Sequence, residues 1–130
     1  MLLTSSILDE ISQRAKESQR LRMNWNIHRS PEELVQRMFN ALEPGTFIPI
    51  ARHPASAETL IILRGRLRIL IYDDHKNIIE DVIISSSSDN IGYHIPKGVW
   101  HQVESLDEGT ICFETREGPY LPVADEDMIK

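Results

Sequence analysis

A single cysteine, a shortage of positive charge and the absence of any long apolar run set the first limits on this chain. Cys112 alone cannot build an intramolecular disulfide framework, and its apolar, strand-like surroundings read as those of a buried thiol. With 14 Lys and Arg against 20 Asp and Glu, the formal charge is −6, which argues against nucleic acid and against an anionic membrane surface as partners. The apolar start runs into Asp9 and Glu10 before a signal-peptide core can form, and no stretch has the length of a bilayer span. No nucleophile elbow, phosphate loop or nucleotide fingerprint is present. The expectation is a cytoplasmic protein that handles a small-molecule ligand.

The composition, 41% apolar and 26% charged over 130 residues, is that of one globular domain able to bury a core. The front of the chain reads as helical. Ser6 and Asp9 form a capping box, and Ile7, Leu8, Ile11 and Ala15 share one helical face, which predicts a helix over about residues 6–18. Ser30-Pro31-Glu32-Glu33 has the form of a second helix start, with an apolar stripe at Leu34, Val35, Met38, Phe39 and Leu42 and a stop at Pro44-Gly45. After Gly45 the texture changes. Short β-rich runs at 46–51, 58–63, 67–72, 78–84, 92–95, 101–104 and 110–115 alternate with turns, the pattern of an antiparallel sandwich or barrel.

Two stretches carry the chemistry. The first runs from Gly45 through His53 and Glu58 to Gly65; the second is Pro96-Lys97-Gly98-Val99-Trp100-His101. Both set their polar residues beside turn signals at strand ends, so that closure into a small barrel would bring His53, Glu58 and His101 to one point. Two imidazoles and a carboxylate suit Zn²⁺, Fe²⁺, Mn²⁺ or Ni²⁺ with positions left for water or substrate. Ala51, on the same strand face as His53, supplies no donor.

These stretches resemble the two cupin motifs. Gly45, His53, Glu58 and Gly65 fit the spacing of the first, with Ala51 where its leading histidine stands. Pro96, Gly98 and His101 fit the second, with Asn90 in place of its leading glycine and Ser105 in place of an asparagine. Over residues 15–122 the chain is similar to the WbuC-type cupin metalloproteins associated with O-antigen gene clusters: Arg22, Asn26 and His28, then Gln36-Arg37-Met38, 41–46, Phe113-Glu114 and 117–120 carry the likeness. The resemblance implies a mainly β, double-stranded β-helix (jelly-roll) barrel. Its organisation would be a two-helix lead over 1–44, a barrel over 45–122 and an acidic solvated tail over 123–130. It also implies one divalent metal ion, held here by His53, Glu58 and His101 alone, with an affinity reduced by Ala51 down to an empty site at the limit.

Other residues have two readings each. His28 ties the N-terminal segment to the barrel or reaches its interior, the tie being favoured. Arg64, with Arg66 and Arg68, belongs to a solvated ion-paired face or to a row that grips an anion. Trp100 packs in the core or forms a ligand platform. Glu114 faces solvent or the barrel rim, with Phe113 as the core residue beside it. Tyr93, near the second motif, would be the acid partner of a histidine base in a metal-free sugar isomerase or epimerase. His75 is expected to be exposed, and His94 is undecided. The functional expectation is a metal-dependent cupin acting on a polar small molecule such as a carbohydrate derivative, with the isomerase or a non-catalytic ligand-binding cupin as alternatives. A homodimer through sheet edges is expected.

Overall fold

The structure, a computed structural model, describes residues 1–129. Helix α1 (Ser5–Glu17) is capped two residues before the expected Ser6, by Thr4, whose Oγ1 accepts from the Ile7 amide at 3.4 Å. Ten strands follow: β1 (Arg22–Asn26), β2 (Val35–Leu42), β3 (Ile50–Ala51), β4 (Glu58–Arg64), β5 (Arg66–Tyr72), β6 (Ile78–Ser85), β7 (Gly92–Ile95), β8 (Trp100–Ser105), β9 (Thr110–Glu117) and β10 (Met128–Ile129). They form two five-stranded antiparallel sheets, ordered β1-β2-β9-β4-β7 and β10-β3-β8-β5-β6, that face each other as a jelly-roll-like sandwich.

Period-two alternation assigns each side chain to a face. Leu42, Leu60, Ile62, Leu67, Ile69, Ile71, Ile84, Ile95 and Cys112 meet between the sheets. On the outer face of the first sheet, Phe39, Ala41 and Ile111 pack under Ile11 and Ala15 of α1, with Ile7 and Leu8 alongside. On one side the edge strands β7 and β6 are bridged by the Tyr93 hydroxyl donating to Glu80 at 2.5 Å. The opposite side, between β1 and β10, stays open and forms the mouth of a cup.

Three expectations change. The second helix is strand β2, and Ser30–Glu33 is only a turn closed by the Glu33 amide on the Ser30 carbonyl. The physical reason is burial on both faces: Gln36, Met38 and Leu42 face the cup while Phe39 and Ala41 face α1. Apolar residues of both parities then imitate a helical stripe. The segment 22–42 is accordingly part of the first sheet, with β2 bonded along its length to β9, and no boundary falls at residue 44. The tail, expected in solvent, instead folds back: a 3-10 turn at Asp125–Asp127 leads into β10, which pairs Met128 with Ala51. Lys130, its last residue, lies outside the described residues.

Gly65 makes the tight turn from one sheet to the other. Its φ is +72°, and a Cβ there would lie 2.4 Å from Thr110 Oγ1 and 2.9 Å from Thr110 Cα. Gly65→Ala is therefore expected to destabilise the fold by at least about 2 kcal/mol, combining left-handed backbone cost with a clash against main chain, as read from urea unfolding. An unchanged midpoint would refute this account of the turn.

Candidate metal centre in the cup

The two motif turns are joined by backbone. Gly98, at φ +75°, donates its N–H to the His53 carbonyl at 3.0 Å, so the segments that carry His53 and His101 are set against each other. His101 lies on β8 beside Ala51 of β3, and Glu58 opens β4 in the other sheet. Candidate ligand atoms of His53, Glu58 and His101 all lie within 4.8 Å of one another, and the two imidazole rings are 5.3 Å apart. The three line a cavity of about 390 Å³ between the sheets.

Hydrogen bonds orient the centre. His101 Nδ1 lies 2.9 Å from the Val99 carbonyl and donates to it, which leaves Nε2 turned to Glu58 Oε1 at 2.9 Å. Glu58 Oε2 receives Arg116 at 2.5 Å. Both Glu58 and His101 are buried. Burial alone would raise the Glu58 carboxyl, but the His101 hydrogen bond and the charges of Arg116, His101 and His53 outweigh it and hold the group well below the usual carboxylate range. Burial works to lower His101, and its bond to Glu58 reverses the direction, so that it holds its proton more tightly than a free histidine. His53 has no such bond, and burial lowers it. His101 and Glu58 thus each favour the charged form of the other.

Arg116 is the residue that the motifs do not announce. It stands opposite Glu58 in the β4–β9 register and also lies 3.0 Å from Glu114 Oε2. Glu114 Oε1 receives Asn40 Nδ2 at 2.9 Å. With one guanidinium shared between two carboxylates, Glu58 takes the shorter contact; burial first, and then the Glu58 charge, push Glu114 upward. The signal for Arg116 was the alternation Cys112, Glu114, Arg116 on β9, which places all three on one face.

The donors fit a divalent ion by type and convergence: two imidazoles, one of them oriented by a carbonyl, and one carboxylate. Two features limit the fit. Ala51 lines the same cavity without a donor, and Arg116 occupies the second oxygen of Glu58.

The remaining sequence candidates divide. Glu114 is buried and faces the cavity, while Phe113 turns outward beneath α1. His28 Nδ1 contacts the Arg37 carbonyl at 3.0 Å, tying the β1–β2 connection, and lines a neighbouring hollow of about 310 Å³. Arg64 binds Asp9 at 2.7 Å and the Ser5 carbonyl, fastening α1 to the sheet away from the cavity. Arg66 and Arg68, on β5, pair with Asp107 and Asp81, so the three arginines do not form one gripping row. Trp100 faces the outer side of the second sheet with Leu70 and Tyr72, its ring covered by Arg52 and Lys76. Tyr93 is spent on Glu80 and does not line the cavity. His94 bonds Thr59 at 2.8 Å, and His75 is exposed. Cys112 lines the cavity floor as a thiol whose pKa burial pushes up.

This arrangement, two facing antiparallel sheets with a polar cup, is the cupin fold, and solved structures agree. A Bacillus halodurans protein, BH2720, superposes with a TM-score of 0.63 at 18% identity, over 95% of this chain and 86% of that one. The cupin domain of Schizosaccharomyces pombe Cnp3 gives 0.59 at 10%, over 76% and 66%. Bacillus subtilis oxalate decarboxylase gives 0.57 at 15%, over 78% of this chain and 30% of that one. The chain thus spans less than a third of the decarboxylase, and at these identities the likeness establishes the fold alone. No curated protein matches by sequence. The chain belongs to the family described as a domain of unknown function, DUF6016, whose model matches residues 3–84.

Replacing Arg116 by leucine leaves Glu58 with only His101 and Glu114 with only Asn40. The expected loss is about 3–5 kcal/mol, the scale for stripping one partner from a buried ion pair, measured as a lower urea midpoint at unchanged m-value. A loss below about 1 kcal/mol would mean that the two carboxylates do not depend on Arg116.

Proposed function

We propose that this protein is a small cupin that binds one divalent metal ion through His53, Glu58 and His101 and acts on a polar small molecule in the cup. The convergence of these three side chains within 4.8 Å carries the reading. A metal bound there supplies Lewis-acid activation of a coordinated oxygen. The chain's own residues do the rest. Val99 holds the His101 ring in orientation, Arg116 confines Glu58 to one available oxygen, and Asn40 fixes Glu114 at the wall. The WbuC-type resemblance over residues 15–122 supports a carbohydrate derivative as the ligand. The Mn(II) centres of Bacillus subtilis oxalate decarboxylase support testing Mn²⁺ among the expected ions, with Zn²⁺, Fe²⁺ and Ni²⁺.

A non-catalytic ligand-binding cupin is the second reading, favoured by the missing donor at Ala51 and by the Arg116 cation beside Glu58. A metal-free isomerase has less support, because Tyr93 lies away from His53 and His101. A cytoplasmic homodimer belongs to the same proposal. Exposed Ile78, Ile79 and Ile83 on edge strand β6 offer an apolar surface, and a purely monomeric sedimentation profile would remove the dimer.

Elemental analysis after equilibration with each metal is expected to find near-stoichiometric ion in the native protein and none in His101→Ala. Retention of metal by that variant, or its absence from both, would overturn the three-ligand site. Ala51→His, which puts a fourth donor opposite Met128 and beside His101, is expected to tighten Zn²⁺ binding by about tenfold or more in a competition titration. Unchanged affinity would show that position 51 does not face the ion.

A further inference from the structure

The cup has a second polar wall that the metal reading does not use. Arg20 and Arg22 line the same 390 Å³ cavity as His53, Glu58 and His101, from the β1 side of the mouth. Arg14, Arg52, Arg64, Arg66, Arg68 and Arg116 each sit on a carboxylate. Among the described residues, Arg20, Arg22, Arg29 and Arg37 have no carboxylate ion pair, and of these four Arg20 and Arg22 line this cavity. Arg22 spends one N–H on the Phe47 carbonyl at 3.0 Å. The cavity's own carboxylates, Glu58 and Glu114, are already engaged by Arg116. Two neighbouring guanidiniums thus line the cavity without a counter-charge.

The backbone between them is held in place. Leu21 sits at φ +56°, a left-handed conformation that a leucine adopts at a cost, and it does so between the two arginines. Thr46 Oγ1 donates to the Arg20 carbonyl at 2.6 Å and the Glu43 amide to the Leu21 carbonyl at 2.9 Å. Burial, and then the charge of Arg20, lower the Arg22 pKa, the direction expected when a guanidinium lacks a compensating anion. Asn24, next on the same face of β1, adds an amide to this wall.

We propose that Arg20 and Arg22 receive an oxyanion, a carboxylate or a phosphate, carried by the small molecule that occupies the cup. The inference rests on reading the cup as a ligand site and narrows the ligand to an acidic one. A planar guanidinium pair suits either oxyanion through parallel N–H donors. The volume accommodates a molecule of monosaccharide size with one such group.

The test is calorimetric titration of the full chain with glucose 6-phosphate, glucuronate and neutral glucose, each up to roughly 10 mM, the range that detects millimolar binding. At least one acid is expected to bind, more weakly as salt rises, with glucose about tenfold weaker or silent. The two acids separate phosphate from carboxylate as the preferred group. The double variant R20Q/R22Q is expected to lose about tenfold or more in affinity at an unchanged melting temperature. In the wild-type amide spectrum, the same acid should shift residues 20–24, a readout that depends on no variant. Glucose binding as tightly as the acids, no binding by any of the three, unchanged affinity in R20Q/R22Q or shifts confined to other elements would each overturn the proposal. Zn²⁺ uptake is read separately. Acid binding through Arg20 and Arg22 without Zn²⁺ uptake would uphold this wall and remove the metal from the function, and Zn²⁺ uptake without acid binding would do the reverse.

Discussion

Glu58 lies at the junction of the two sheets, and much of the cup depends on how its buried charge is met. It opens β4 in one sheet, takes His101 from the other on Oε1, and takes Arg116 from its own neighbour β9 on Oε2. A carboxylate taken out of water at this depth is tolerable only with such partners. The pair of contacts therefore couples fold and chemistry. The hydrogen bonds that make the charge bearable also aim the imidazole, and they engage both carboxylate oxygens, so a ligand reaches Glu58 only by displacing His101 from Oε1.

Around that carboxylate the cup is assembled from parts distant in sequence. β1 brings a polar wall, β9 brings Glu114 and Arg116, and the C-terminal segment returns to close the rim. Arg52 binds Asp127 at 2.7 Å, and the Arg52 amide reaches the Asp127 carbonyl at 2.9 Å. Beside this clasp, Met128 lies across from Ala51. The position that lacks a donor thus has Met128, on the returning C-terminal strand, as its cross-strand neighbour.

The strand pattern after Gly45 was legible because short β-branched runs are cut by strong Gly, Pro, Asp and Asn turn signals, even where, as in β5 and β9, both faces are covered. Of the expected run 46–51 only Ile50–Ala51 is strand. His53, Glu58 and His101 were legible for a related reason: each sits at a strand end beside a turn with a fixed spacing. β2 was not legible. Covered by α1 on one side and the cup on the other, it carries apolar residues at both parities, and Pro31 and the acids beside it imitate a helix start. β1 hid for the opposite reason, since Arg22, Asn24 and Asn26 are polar where a strand would be expected to show an apolar face. Arg116 stayed out of view because its role comes from cross-strand register with Glu58, a relation between residues 58 apart that local patterns do not contain.

Arg116 also borders three hollows: the main cavity, the smaller one beside His28, and a third of about 360 Å³ along the returning C-terminal segment. One guanidinium cannot satisfy all three compartments in every state. An occupant that drew it away from Glu58 would change the charge felt by whatever sits in the other two. By thermodynamic linkage those occupants would alter the first one's affinity by the same factor. The shared arginine therefore gives the three hollows a common wall, through which an occupant of one would be felt in the other two.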